Sequence, residues 1–104
     1  MASYQIMYWH DIPVQVRAGA RRDRVSIELP HRFQVAIDNA AMVAGLTGTD
    51  GYLDGFAWSE SLEREGTPAE VAATVAAELE SQYQTIDWRH TAASLQAGSS
   101  DAPA

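Results

Sequence analysis

Cysteine and lysine are both missing from this chain of 104 residues. Without cysteine there is no disulfide, thiolate zinc site, iron–sulfur cluster or cysteine nucleophile, and the absence agrees with an intracellular protein. Without lysine, the strongly basic side chains are seven arginines, too few for the dense Lys/Arg surface that generic phosphate-backbone binding needs. No apolar run approaches the ~20 residues of a membrane helix. The first residues also lack the basic, apolar, small-residue order of a signal peptide, so the expected address is the cytoplasm. A chain of this length makes one domain with one modest core, burying about 60 to 70% of its unfolded surface.

The charge that is present is unevenly placed. Residues 1–32 carry five arginines against three acids, a balance of +2, whereas residues 33–104 carry two arginines against eleven acids, a balance of −9. The acidic half would repel nucleic acid and favour a basic protein partner.

SYQIMYW (3–9) is rich in aromatic and β-branched residues and predicts a strand. Pro13 forces Ile12 towards extended geometry and presets a turn, and Asp11 can bond a nearby amide, so HDIP (10–13) reads as a strand exit. VQVRA (14–18) and RVSIEL (24–29) alternate strictly, with Val14, Val16, Ala18, Val25, Ile27 and Leu29 on one face and Gln15, Arg17, Arg24, Ser26 and Glu28 on the other. Joined through Gly19, they predict an antiparallel hairpin with one dry and one wet face.

Pro30 is expected at the first position of a helix, whose stripe is Phe33, Ile37, Ala40, Ala41 and Ala44. Val35, Met42 and Leu46 lie opposite, which predicts a helix wrapped on two sides, stopped by Gly45. Thr49 then leads into DGYLDGFAWSESLERE (50–65), expected as a second helix buried by Tyr52, Leu53, Phe56 and Ala57. After Gly66, TPAE (67–70) is a capping box for a third helix docking through Val71, Val75, Leu79, Tyr83 and Ile86. From Thr91 few large apolar residues remain, and 91–104 is expected to be a disordered tail behind a domain spanning 1–90. The fold class is α+β: a three-stranded, mostly antiparallel sheet followed by three helices.

The chemistry-bearing residues do not assemble into a catalytic or metal pattern. His10-Asp11 resembles a metal dyad of phosphohydrolases, but the remaining histidines, His31 and His90, stand at no ligand spacing. Ser3, Ser26, Ser59 and Ser61 occupy no nucleophile elbow. GLTGTDGYLDG (45–55) lacks the order of a phosphate cradle, and Asp54, Glu60, Glu63 and Glu65 form a solvated helix face. The expectation is no catalytic residue, no metal and no cofactor.

The aromatics are more informative. Strand one offers Tyr4, Ile6, Tyr8 and His10 on one side and Met7 and Trp9 on the other, so one set must face away from the main core. Clustered aromatics beside arginine mark interaction surfaces. The candidate partner surface is therefore Tyr8, Trp9, His10, Arg17 and Arg24, joined by Tyr52, Phe56 and Trp58.

YWHDIPVQV, LPHRF, GLTGTDGYLDGF and EREGTPAEVA stand in an order and spacing that resemble the small bacterial virulence factor domain family, also found within larger conserved virulence factor proteins. The resemblance spans about residues 3–84 and departs at Ser59 and Glu60, where basic residues are common in the family. It implies no catalytic or cofactor residue, and at most an accessory role near folate- and corrinoid-linked methyl transfer. The expected function is thus a non-enzymatic accessory or interaction domain with a protein partner. The alternatives are a subunit or small-ligand binder in one-carbon metabolism, or a single-strand reader using sheet aromatics with Arg17, Arg21, Arg22 and Arg24, against which the net charge argues.

Overall fold

A computed structural model describes residues 2–20, 22–48 and 50–100. Its elements run β1 (Ala2–Trp9), β2 (Ile12–Ala18), β3 (Val25–Glu28), α1 (His31–Ala44), α2 (Asp50–Asp54), β4 (Phe56–Trp58), β5 (Leu62–Arg64), α3 (Pro68–Gln82) and α4 (Trp88–Ser100). The α+β class and antiparallel sheet agree with the sequence, but the described residues form five strands and four helices rather than three and three. β1 is central, with β2 and then β3 on one side and the short β4 and β5 end to end along its other edge.

The segment expected as a second helix accounts for most of the difference. Its apolar residues have helical spacing, yet after the five residues of α2 the chain extends and pairs Phe56 with Trp9 and Trp58 with Met7. β4 and β5 are separated by a break at Ser59, which substitutes for the ladder: its amide donates to the Ile6 carbonyl at 2.8 Å, and its hydroxyl accepts the Ile6 N–H at 2.9 Å. Leu53, expected inside, is 67% exposed. The Thr49 cap and Arg21 lie outside the described residues.

Cross-strand register sorts the sheet into two faces. Ile6 opposes Val16, which opposes Ile27, while Tyr4, Ala18 and Val25 form the neighbouring row; α3 covers this face with Val71, Ala72, Val75, Ala76 and Leu79. α3 starts as its sequence dictates: the Thr67 hydroxyl accepts the Glu70 amide at 3.2 Å, and the Glu70 carboxylate accepts the Thr67 amide at 3.0 Å.

α1 lies against β2 and α4, burying Phe33, Ala36, Ile37, Ala40 and Ala41. Pro30 is its N-cap rather than its first residue, and Gly45 ends it in the left-handed conformation, with the Leu46 amide bonded to the Ala41 carbonyl at 2.8 Å. The helix is not wrapped on two sides, for Val35 is exposed and Met42 is 66% exposed.

Where a tail was expected from residue 91, α4 continues to Ser100 and buries Thr91 and Ala92. Asp87 starts it by accepting the His90 amide at 3.2 Å. Residues 101–104 of that expected tail are outside the described part.

Candidate functional site

His10 and Asp11 form the two-residue turn between paired Trp9 and Ile12. His10 stands at φ +56°, a left-handed conformation uncommon for a residue with a Cβ. Three contacts hold it there. Its amide donates to the Gly55 carbonyl at 3.1 Å, its ring packs edge-on to Trp9 with centroids 4.5 Å apart, and both rings press on Gly55, where a Cβ would come within 2.5 Å of Trp9 Nε1 and 2.9 Å of His10 Nε2. Trp9 Nε1 in turn donates to the Tyr52 carbonyl at 2.8 Å. Asp11, instead of bonding a nearby amide, accepts a hydrogen bond from the Thr91 hydroxyl, tying the turn to α4. His10 and Asp11 thus clasp the turn to Gly55 and to α4, and no group of three or more His, Asp or Glu side chains suited to a metal occurs among the described residues.

The other face of the sheet is differently built. Gln5 opposes Arg17, which opposes Ser26; Met7 opposes Gln15, which opposes Glu28, and Trp58 stands beside Met7 on β4. None of these seven is buried. The Arg17 guanidinium lies 3.8 Å from the centroid of the Trp58 ring, a cation–π contact. Its Nε and Nη2 both donate to Gln5 Oε1, at 3.0 and 2.7 Å, while Gln5 Nε2 donates to the Ser59 carbonyl at 2.9 Å. With a carbonyl on its nitrogen side and a guanidinium on its oxygen side, the Gln5 amide has one satisfied orientation. A long, flexible arginine is thereby fixed in place. Partial desolvation, and secondly the charge of Arg24, lower the Arg17 pKa from its usual value.

Next to this array lies a groove of about 370 Å³ between the sheet and the start of α1. Met7, Val14, Leu29 and Phe56 supply its apolar lining, and Gln15, Glu28, His31 and Gln34 its polar groups. Val14 has no partner on β1, because the register shifts between Met7 and Tyr8 and leaves it as the extra residue of a bulge. Pro13, which lacks an amide hydrogen, sits at that irregularity.

The eight residues expected on one partner surface are divided among three places. Trp9 is 0% exposed, and its burial against Tyr52, Phe56 and Gly55 removes it from any surface. Tyr8 is turned to the covered face, where burial, then the neighbouring Tyr83 and Tyr4, raise its pKa. Tyr52 and His10 belong to the clasp; the Tyr52 hydroxyl donates to Asp38 Oδ1 at 2.9 Å, and burial, then that carboxylate, raise its pKa. Arg17, Arg24, Trp58 and Phe56 are brought to the uncovered face or its border. Gln5, Met7, Gln15, Glu28, His31 and Gln34 were missed. The alternation places Gln15 and Glu28 with Arg17, but nothing local places Trp58 beside Met7.

The family model described as Virulence factor matches residues 7–90, and the chain belongs to that family. No curated protein matches the chain, and no solved structure does.

Proposed function

We propose that this member of the family is a non-catalytic interaction domain, and that the uncovered face of its sheet is the surface that takes a protein partner. The observation that carries this is the Arg17–Trp58–Gln5 array. It fixes a cation over an indole on an open sheet, and no carboxylate neutralises it among the described residues, whose one ion pair is Arg64 with Glu78 at 2.9 Å. Ordering an arginine costs conformational entropy, whereas a pre-ordered aromatic–arginine pair lowers the cost of association and is the kind of anchor that interfaces favour. The adjoining groove offers an apolar lining for a partner side chain. The acidic remainder of the chain favours a partner that is basic over most of its surface.

Site-specific photo-crosslinking tests this. A benzophenone side chain at Glu28, on the open face, should give a discrete product that is lost when Arg17→Gln or Trp58→Ala is added, with the fold intact by circular dichroism. The same label at Val35, on the exposed side of α1, should give none. A Glu28 product that survives both substitutions would overturn the proposal.

A small-ligand role in one-carbon metabolism is the second reading, and the groove favours it, since about 370 Å³ lies within the range of small-molecule sites. Thermal-shift assays with folates and corrinoids decide it: stabilisation that Met7→Asp abolishes would support it, and no shift with either class would dismiss it.

A further inference from the structure

At the hairpin end of the open face, Ser3, Tyr4, Gln5, Arg17, Gly19, Arg24 and Ser61 enclose a small polar cleft of about 20 Å³. Two like charges converge there, close enough for Arg24 to lower the Arg17 pKa. Neither guanidinium has a carboxylate partner among the described residues, and no described group bonds the Ser3 or Ser61 hydroxyl. Glu63, paired with Ser3 across the sheet, is exposed and forms no ion pair with either arginine. Arg17 cannot relieve the repulsion by swinging away, because Trp58 and Gln5 hold it.

We infer that this cleft is an oxyanion subsite of the partner surface and takes one carboxylate of the partner. The inference rests on the open face being that surface. Two guanidiniums and two hydroxyls offer a concentration of donors that favours an anion, and charge-assisted hydrogen bonds are the stronger kind. A cleft of about 20 Å³ has room for roughly one water-sized group. One oxygen of a planar carboxylate meets that limit, whereas a tetrahedral phosphate carries three further oxygens that a cleft of this size leaves outside. A single acid on an otherwise basic partner complements both poles of the chain, and like-charged proteins are rejected by the acidic remainder.

The test uses the whole chain labelled with nitrogen-15. The Arg17 Nε–H and the Ser3, Gly19 and Ser61 amides are followed while sodium acetate, sodium phosphate or sodium chloride is added at matched ionic strength. Acetate should shift these four signals together and saturably, chloride should not, and Arg24→Gln should weaken acetate binding about tenfold, the value of one charge-assisted hydrogen bond. Arg17→Lys, which keeps the charge but loses the fork, should weaken it as well. Shifts no larger than those with chloride, tighter binding of phosphate, or indifference to Arg24→Gln would each overturn the subsite. Failure of the two proposals can be told apart. If acetate leaves the signals unmoved while Glu28 still crosslinks, the face binds a partner without a carboxylate; if acetate saturates them while crosslinking fails, the anion site exists and the partner surface does not.

Discussion

Trp9 and Trp58 point to the same side of the sheet from neighbouring strands, and they meet opposite fates. Trp9 is wholly buried, its indole N–H donated to Tyr52 and its edge laid on a glycine. Trp58 is half-buried, and what covers it is the guanidinium of Arg17. The difference is local. Beyond Trp9 the chain folds back through α2 and Gly55, putting a backbone against the ring, whereas beside Trp58 the break at Ser59 leads the chain on along the edge of β1. One tryptophan holds the fold together, and the other is left available.

The largest effect should follow from removing the first. Trp9→Ala should lower unfolding free energy by about 3 to 5 kcal/mol in urea titration, as expected for truncating a fully buried aromatic. Equal losses for Trp9→Ala and Trp58→Ala would break the comparison. Gly55→Ala comes next: a Cβ within 2.5 Å of Trp9 Nε1 must displace the ring, and overpacking of that kind costs about 1 to 3 kcal/mol. Its signature is specific, for the Trp9 indole N–H resonance should move while that of Trp58 stays in place.

Trp58→Ala should cost less, about 0.5 to 1 kcal/mol, the worth of an exposed cation–π contact. Its main consequence should be loss of order at Arg17. Hydrogen exchange of the Arg17 Nε–H, slowed by Gln5 Oε1 at 3.0 Å, should accelerate in the variant. Exchange that stays slow would show that Gln5 alone fixes the arginine and that Trp58 has no part in preparing the surface.

The two fates could not have been told apart from the sequence, and the reason is physical. β1, the β2–β3 hairpin, α1 with its Gly45 stop and α3 with its capping box were all legible, because period-two and period-3.6 patterns and caps are local signals. Phe56-Ala57-Trp58 was not. Its spacing from Tyr52 and Leu53 mimics a helix, and what makes it a strand is pairing to Met7 and Trp9 nearly fifty residues earlier, together with a Gly55 that admits two rings. α4 did carry a signal: Asp87 as N-cap, then Trp88, Thr91, Ala92 and Leu95 at three- and four-residue steps, obscured by small residues between them. The proposed partner surface inherits the same limit. Arg17 was legible as a wet-face residue, whereas the indole beneath it arrives on a strand the sequence did not announce.

The smallest effect tests the cover of the dry face. The Glu70 carboxylate accepts the Thr67 amide, and that bond, followed by the Thr67 side chain, holds its pKa below the ordinary 4.5. A carboxyl whose pKa folding depresses adds stability that is fully present above its unfolded pKa and is lost as pH falls through the folded one. Glu70→Gln keeps an acceptor but does not titrate. Wild type should therefore melt above the variant at neutral pH, and the gap in Tm should close in the acid range below the carboxylate pKa. Trp58 emission should be the same in both proteins at neutral pH, because the cap acts on α3, which covers the face Trp58 does not share. A gap that ignores pH would mean that what Glu70 adds to the cap does not depend on its ionisation. A change in Trp58 emission would mean that the two faces are coupled, and the independence on which the contrast between the tryptophans depends would fail with it.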